Sequence, residues 1–180
     1  MQAADRGFKG VFNGNGYSLS GFSFGVGGIF GDLNGATIKN LTIENATIEA
    51  WGNWETCEMR AITLISHLAI DSTIEDCHFT LTISQKDSTI LTRSASAIAH
   101  TIYDLTMRDV TIDITNTDTD DNSSAIAINA GGTNQYERVV VNQKGTNTKL
   151  FPNGSVPAGI TNNTIPGEPT EPETDPEATA

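Results

Sequence analysis

The chain has 180 residues, which is enough for one domain with a continuous core. Its formal net charge of −12 argues against a basic surface that binds nucleic acid or an anionic membrane. No apolar run reaches the roughly 18 residues of a membrane-spanning helix, so membrane insertion is not expected. Isoleucine and threonine are abundant, and this β-branched bias favours strands over a helical bundle.

A seven-residue pattern recurs along the chain, and its clearest copy is TIKNLTI at residues 37–43. The pattern is a strand residue, an apolar residue, a variable residue and a turn residue, followed by apolar, polar and apolar residues. In chain order the copies lie at 18–24, 37–43, 73–79, 101–107 and 136–141. Such internal repeats of short strands and tight turns predict an all-β fold, a parallel β-helix of about five coils.

The aligned copies predict three columns of apolar side chains inside the stack. The first column is Leu19, Ile38, Ile74, Ile102 and Tyr136. The second is Phe22, Leu41, Cys77, Leu105 and Val139, and the third is Phe24, Ile43, Phe79, Met107 and Val141. The turn position holds Gly21, Asn40, Asp76, Asp104 and Arg138. All but Arg138 are residue types that suit the left-handed backbone of a tight corner.

A second recurring piece precedes these copies and predicts the other sheet of each coil. Residues 28–33 resemble 63–68, and residues 96–100 resemble 124–128. The spacing between copies is uneven, which indicates loops of different length on one side of the stack. The predicted loops are 50–60, 84–93 and 116–123.

The β-helix domain is predicted to span residues 1–160, with 142–160 folding back as an end cap through Phe151, Val156 and Ile160. Residues 161–180 are rich in Pro, Thr and Glu and are predicted to be a disordered linker. Cys77 falls at an inward position, which favours a buried free thiol, while a disulfide with Cys57 stays open.

A family resemblance is carried by residues 8–48. FKGVFNGNGYSLSGF at 8–22 resembles the F-x-G-x-F-D-G-N-G-x-x-I-x-G-L opening of bacterial surface β-helix proteins, with Asn13 where Asp is commoner. GIFG at 28–31 resembles the G-L-F-G of the GLUG motif, and NLTI at 40–43 resembles the end of that unit. The resemblance implies a right-handed parallel β-helix in a large extracellular bacterial protein, an adhesin or cell-wall segment, and it transfers no catalytic motif.

The loop that follows the best-preserved copy is the first candidate for ligand contact. It holds Trp51, Asn53, Trp54 and Glu55. Aromatic faces stack on sugar rings, and Asn and Glu side chains hydrogen-bond to hydroxyl groups. The alternative is that both tryptophans fold down to cover the edge of the stack.

Right-handed β-helices also host polysaccharide lyases and glycosidases, so a pair of acidic residues could form a catalytic site. Asp76 and Asp104 occupy the same position of adjacent copies and would stack at about 4.8 Å. A retaining glycosidase needs two carboxyl groups about 5–5.5 Å apart. Because Gly21 and Asn40 fill the same turn position, a backbone role for the two aspartates is favoured and no catalytic residue is assigned.

Metal binding has one candidate, the acidic run with Asp118, Asp120 and Asp121. These side chains supply the hard oxygen ligands that Ca²⁺ prefers, but the run lacks the spacing of an EF-hand, so a solvated loop is favoured over a calcium site. His67 and His100 are predicted to lie close together in one sheet. With no third ligand in view, zinc is not expected, and no other cofactor is.

These observations predict a non-catalytic module for adhesion, glycan contact or spacing, with a β-helical lyase or glycosidase fragment as the alternative. MQAADRGFKG at the start lacks the features of a signal peptide. This fits either a cytoplasmic protein or a segment of a longer exported chain. The second interpretation is favoured, so the expected location is extracellular or at the cell surface, with a glycan or a host or cell-wall surface as partner.

Overall fold

A computed structural model describes residues 7–24, 28–50, 62–85, 95–117, 123–145 and 149–165. These residues form strands and turns without any helix, and every strand pair among them is parallel. The prediction of an all-β fold with parallel strands is therefore confirmed.

Sixteen strands are present in the described part of the chain. The first eight are β1 (Val11–Asn13), β2 (Ser18–Ser20), β3 (Ser23–Phe24), β4 (Asp32–Asn34), β5 (Thr37–Lys39), β6 (Thr42–Ala50), β7 (Ile62–Thr63) and β8 (Ser66–Ile70). The others are β9 (Thr73–Gln85), β10 (Ala95–Ser96), β11 (Ala99–Tyr103), β12 (Thr106–Asn116), β13 (Ala127–Gly131), β14 (Gln135–Glu137), β15 (Val139–Gly145) and β16 (Ile160–Ile165).

The strands form three sheets, and from β7 to β12 the chain visits all three twice in the same order. A large ten-stranded sheet runs β1-β5-β9-β12-β15-β16, with β6 beside β9, β2 and β3 beside β6, and β14 beside β12. A four-stranded sheet has the order β4-β8-β11-β13, and β7 pairs with β10 in a two-stranded sheet. Each return of the chain to a sheet adds a strand parallel to the previous one.

The predicted columns are correct for three of the five copies and wrong for two. Ile38 pairs with Ile74, as expected. However, Met107 rather than Ile102 pairs with Ile74, and Leu19 pairs with Ile43 rather than lying in the column of Ile38. The copies at 18–24 and 101–107 are thus shifted by five residues, and Phe22, Phe24, Ile102 and Leu105 shift with them.

The cause of this error is a shorter repeat inside the pattern. Residues 37–48 read TIKNL-TIENA-TI, so the same apolar spacing returns after five residues. Residues 102–112 repeat in the same way, with Asp104 and Asp109 at the two turn positions. Alignment of the letters alone fits either register, and only the pairing across strands separates them.

The predicted left-handed corners are present. All five turn-position residues have positive φ, at 75° for Gly21, 51° for Asn40 and 53° for each of Asp76, Asp104 and Arg138. Arg138 therefore has the left-handed corner conformation, although arginine was the one residue type of the five that is not typical of such a corner.

Other residues also have positive φ, and most of these left-handed corners fall into two columns according to the strand pairing of the residue before each corner. The first column contains Gly35, Asp71, Asp104 and Gly132, and the second contains Asn40, Asp76, Asp109 and Arg138.

The second recurring piece forms the four-stranded and two-stranded sheets, as predicted. Ser96 bridges to Ser124 and Ala99 pairs with Ala127, which matches the predicted alignment of 96–100 with 124–128. The alignment of 28–33 with 63–68 is wrong by one residue, because Asp32 pairs with Leu68 and not with His67.

One apolar cluster fills the space between the sheets, and it includes fully buried Phe79, Ile43 and Ile112. Cys77 belongs to this cluster as a free thiol, as favoured from the sequence. Burial raises the pKa of the thiol to about 11, and its Sγ donates a hydrogen bond to the Glu75 carbonyl oxygen over 3.1 Å. Cys57 lies outside the described residues.

The end of the stack differs in part from its prediction. Phe151 is buried, as expected of a cap, but Val156 is 55% exposed and Ile160 opens β16. Residues 161–165, assigned to the linker from their composition, complete β16 and pair with β15 as far as Ile165. Parallel pairing with β15 overrides their polar composition. The rest of the predicted linker, 166–180, lies outside the described residues.

Candidate ligand-contact face of the large sheet

The residues predicted to contact ligands are not among those that the structure describes. Trp51, Asn53, Trp54 and Glu55 lie outside the described ranges, and so do Asp118, Asp120 and Asp121. The strands before these loops are described. Their last residues are Ala50 on β6, Gln85 on β9 and Asn116 on β12, at the same end of neighbouring parallel strands.

The predicted stacking of Asp76 on Asp104 is wrong. Asp76 follows Glu75, which pairs with Arg108, so its neighbour in the next strand is Asp109. Asp104 follows Tyr103, which pairs with Ile70 in the four-stranded sheet. The Asp104 carboxylate also accepts a hydrogen bond from the Thr133 backbone N–H over 2.5 Å. Both aspartates occupy left-handed corners, so the structure agrees with a backbone role.

The predicted proximity of His67 and His100 is confirmed. Their rings stack with centroids 5.4 Å apart and an interplanar angle of 2°, and His67 Nδ1 lies 3.6 Å from Asp32 Oδ1. Parallel rings direct their nitrogen lone pairs side by side rather than toward one point, which is unsuited to a shared metal ion. Within the described ranges, no group of three or more His, Cys, Asp or Glu side chains is placed to hold a metal.

The outer face of the large sheet carries a ladder of alternating charges. Arg108 lies between Glu75 and Glu137 on the neighbouring strands, with its Nη1 3.4 Å from Glu75 Oε2 and its Nε 3.0 Å from Glu137 Oε2. Arg138 Nη2 donates a hydrogen bond to Asp109 Oδ2 over 2.7 Å, and Arg138 Nη1 donates one to Glu137. The hydrogen bonds that Arg138 donates lower the pKa of both the Asp109 and Glu137 carboxyl groups, and the same bonds raise the pKa of Arg138.

A second polar ladder crosses the same face. Asn163 Nδ2 donates to Asn142 Oδ1 over 2.8 Å, and Asn142 Nδ2 donates to Asp113 Oδ1 over 2.6 Å. The other carboxylate oxygen, Asp113 Oδ2, lies 2.6 Å from His78 Nε2. Burial alone would raise the pKa of Asp113, but the hydrogen bonds from Asn142 and His78 outweigh it, so this pKa lies below its ordinary value.

The second ladder borders a groove of about 410 Å³. Its lining includes Asp113, Asn142 and the facing pair Thr82 and Thr115, with Lys144 on the next strand. In β12 these positions alternate with buried ones, so Asp113 and Thr115 point away from the core. The groove thus presents hydroxyl, amide, carboxylate and ammonium groups at the spacing of adjacent strands, about 4.8 Å.

Sequence reasoning missed this face because it compared inward positions only. The signal was present in the alternation of polar and apolar residues along 106–116, where every outward residue is polar or charged. Predicting the two ladders would also have required the correct register of the 101–107 copy, because that register decides which side chains are neighbours across the strands.

Comparison with known proteins gives no relative. No protein-family model, no curated protein and no solved structure matches the chain. The described residues also contain no helix that is long and apolar enough to cross a membrane.

Proposed function

We propose that this chain is a right-handed parallel β-helix of the GLUG-motif kind, a non-catalytic module of a bacterial cell-surface or secreted protein. In this proposal it contacts glycans through the groove on the outer face of the large sheet. The loop that holds Trp51 and Trp54 would extend that contact.

Two features support the β-helix. From β4 to β15 the chain alternates between the four-stranded sheet and the large sheet, and each return adds a parallel strand beside the previous one. Left-handed corners stack in columns where the chain leaves one strand for the next. The proposed hand follows from the general rule that about 98% of connections between parallel strands of one sheet are right-handed.

The groove is the observation that carries glycan contact. Sugar hydroxyls both donate and accept hydrogen bonds, and the groove combines acceptors and donors in one row, from the Asp113 carboxylate to the Asn142 amide. These side chains are held by hydrogen bonds across the strands, so little conformational entropy is lost when a ligand binds. The row runs across adjacent strands, which fits a glycan chain that lies on the sheet.

A glycan array tests this proposal with a pair of matched variants. Thr82→Val/Thr115→Val removes two facing hydroxyls from the groove and keeps the β-branched shape. Thr73→Val/Thr106→Val makes the same change to a facing pair of the same strands outside the groove. We expect the groove variant to lose glycan signal about tenfold and the control to retain it. Equal signals for wild type and both variants would contradict the assignment of the groove.

The predicted loop is tested separately. A Trp51→Ala/Trp54→Ala double variant loses glycan binding if the loop takes part in the contact. An unchanged signal would restrict contact to the sheet. A pure spacer would show no glycan signal in any form of the protein, which would refute glycan contact as a whole.

One observation favours the alternative of a lyase or glycosidase fragment. His78 and Asp113 form a dyad on the outer face, with side chains 47% and 37% exposed, and an imidazole oriented by a carboxylate is a suitable general base. An enzyme of this kind would release product from acidic or neutral polysaccharides and lose that activity in His78→Gln. The proposed binding module releases no product.

A further inference from the structure

A second cavity lies at the C-terminal end of the stacked strands and shares no lining residue with the groove on the large sheet. It has a volume of about 420 Å³, within the range of roughly 300–1,000 Å³ typical of small-molecule sites. Its walls are β13, the Asn134–Tyr136 region and residues 151–157. We call it the end cleft.

The end cleft is uncharged. None of its lining side chains is acidic or basic, although the chain as a whole carries a net charge of −12. Its polar groups are amides and hydroxyls, from Asn129, Asn153, Ser155 and Tyr136. An ionic ligand would find no counter-charge there, so the lining selects a neutral ligand that forms hydrogen bonds.

Two aromatic rings provide the apolar part of the cleft. The rings of Tyr136 and Phe151 lie 6.4 Å apart at an angle of 60°, and Phe151 is buried. Burial raises the pKa of Tyr136 to about 12, so the phenol remains a neutral donor at physiological pH. Its hydroxyl forms no hydrogen bond with another described residue, which leaves it available to a ligand.

The amides of the cleft divide into structural and available groups. Asn134 is structural, because its Oδ1 accepts from Leu105 N–H over 2.9 Å and its Nδ2 donates to the Gly131 carbonyl. Asn153 Oδ1 accepts from Ser155 N–H, and this leaves its amide NH₂ group available. Asn129 is exposed and makes no side-chain hydrogen bond within the described ranges.

The backbone at the cleft adds further groups. β13 is the last strand of the four-stranded sheet. Just before β13, the Ala125 and Ile126 N–H groups donate hydrogen bonds to the backbone carbonyl groups of residues 149–150. No described strand continues this pairing along β13 itself. Peptide N–H and C=O groups along its outer edge therefore have no strand partner among the described residues.

The protein's own tail is a poor occupant of this edge. Residues 166–180 contain four prolines and five acidic residues, whereas strand addition requires backbone N–H donors and the cleft offers no cation. A neutral sugar matches better, because its ring has apolar faces for Tyr136 and Phe151 and its hydroxyls match the amides.

We propose that the end cleft binds a neutral sugar residue of a glycan, with the Tyr136 hydroxyl and the Asn129 amide as its polar anchors. The site is separate from the groove on the large sheet. It extends the proposed function, on which it rests, by giving the module a second contact of defined ligand class.

The test is a titration followed by backbone amide NMR of the full chain. Lactose, cellobiose and N,N′-diacetylchitobiose are the neutral probes, and galacturonic acid is the anionic one. We expect at least one neutral disaccharide to shift the amide signals of residues 128–130 and 151–155 with millimolar affinity, and galacturonic acid to shift none of them.

Variants identify the anchors and separate the two sites. Tyr136→Phe and Asn129→Ala should each weaken neutral-sugar binding about fivefold, since each removes one hydrogen bond. Thr82→Val/Thr115→Val should leave cleft binding unchanged. No shift with any neutral probe, equal shifts with galacturonic acid, or full affinity in both cleft variants would overturn the proposal. If the cleft fails while the groove variant still loses array signal, glycan contact through the groove stands.

Discussion

The outward side chains of the large sheet take their properties from residues on neighbouring strands. Asp113 shows this most clearly, because the carboxylate is held by Asn142 on one neighbouring strand and His78 on the other. Its ionised form is stabilised in the folded state, and its pKa is lowered accordingly. A carboxyl group of this kind stabilises the fold above its ordinary pKa of about 4, and the contribution disappears as pH falls through the lower, folded value.

Replacing Asn142 by Ala should therefore raise the pKa of Asp113 toward its ordinary value. The reason is the loss of the amide hydrogen bond to Oδ1. Carboxyl ¹³C NMR titration of the two proteins measures the change. Asn163→Ala is the matched control, because that amide contacts Asn142 and not Asp113. A lower Asp113 pKa in Asn142→Ala, or the same increase in both variants, would show that the ladder does not set it.

At the scale of the strands and their corners, backbone conformation decides which residues fit. Left-handed corners cost a residue with a Cβ about 1–2 kcal/mol, and Asn and Asp reduce this cost with their short polar side chains. Asp76 has φ of 53°, and its carboxylate makes no salt bridge or side-chain hydrogen bond with any described residue, which makes it a good probe of the corner itself.

Asp76→Ala should lower the free energy of unfolding by about 1 kcal/mol, whereas Asp76→Gly should stay within about 0.5 kcal/mol of wild type. Urea denaturation measures both. Glu44→Ala serves as control, since Glu44 is exposed and its φ is not positive. Equal losses for the Ala and Gly variants would mean that the carboxylate, and not the backbone, is what the corner requires.

The register of the large sheet can be tested through its core. Phe79 pairs with Ile112, while Met107 pairs with Ile74, five residues further back along the strands. A double-mutant cycle of Phe79→Leu with Ile112→Val should give a coupling of at least about 0.5 kcal/mol. The cycle of Phe79→Leu with Met107→Leu should give less than about 0.3 kcal/mol. A larger coupling energy for Phe79 with Met107 than for Phe79 with Ile112 would support the alignment of the sequence copies and contradict the observed pairing.

These elements also show what the sequence could predict. Asn40 and Asp76 indicated left-handed corners because residue type and backbone conformation are locally linked. The buried strands around Ile38 and Ile74 followed from their apolar spacing. The register at Met107 did not, because a five-residue repeat makes two alignments equivalent until strands are paired. The end cleft depends on where residues 149–157 lie beside β13, which no local pattern encodes.

At the scale of the whole molecule, a repeated scaffold offers two surfaces of different chemistry. The groove on the large sheet has charged and polar groups in rows across the strands, while the end cleft is neutral and aromatic. A stack of this kind keeps its side chains in fixed positions, because each strand is paired with its neighbours and shares one core with them. Fixed rows favour binding to an extended polymer over binding to a small charged metabolite.

The module is proposed to bind glycan without converting it. Affinity electrophoresis through gels that contain a neutral or an acidic polysaccharide measures binding, and assays for reducing ends and unsaturated products measure turnover on the same samples. We predict retardation of the wild-type protein by at least one polysaccharide, loss of most of that retardation in Thr82→Val/Thr115→Val, and no product. Product release that disappears in His78→Gln, or the absence of retardation by every polysaccharide, would contradict it.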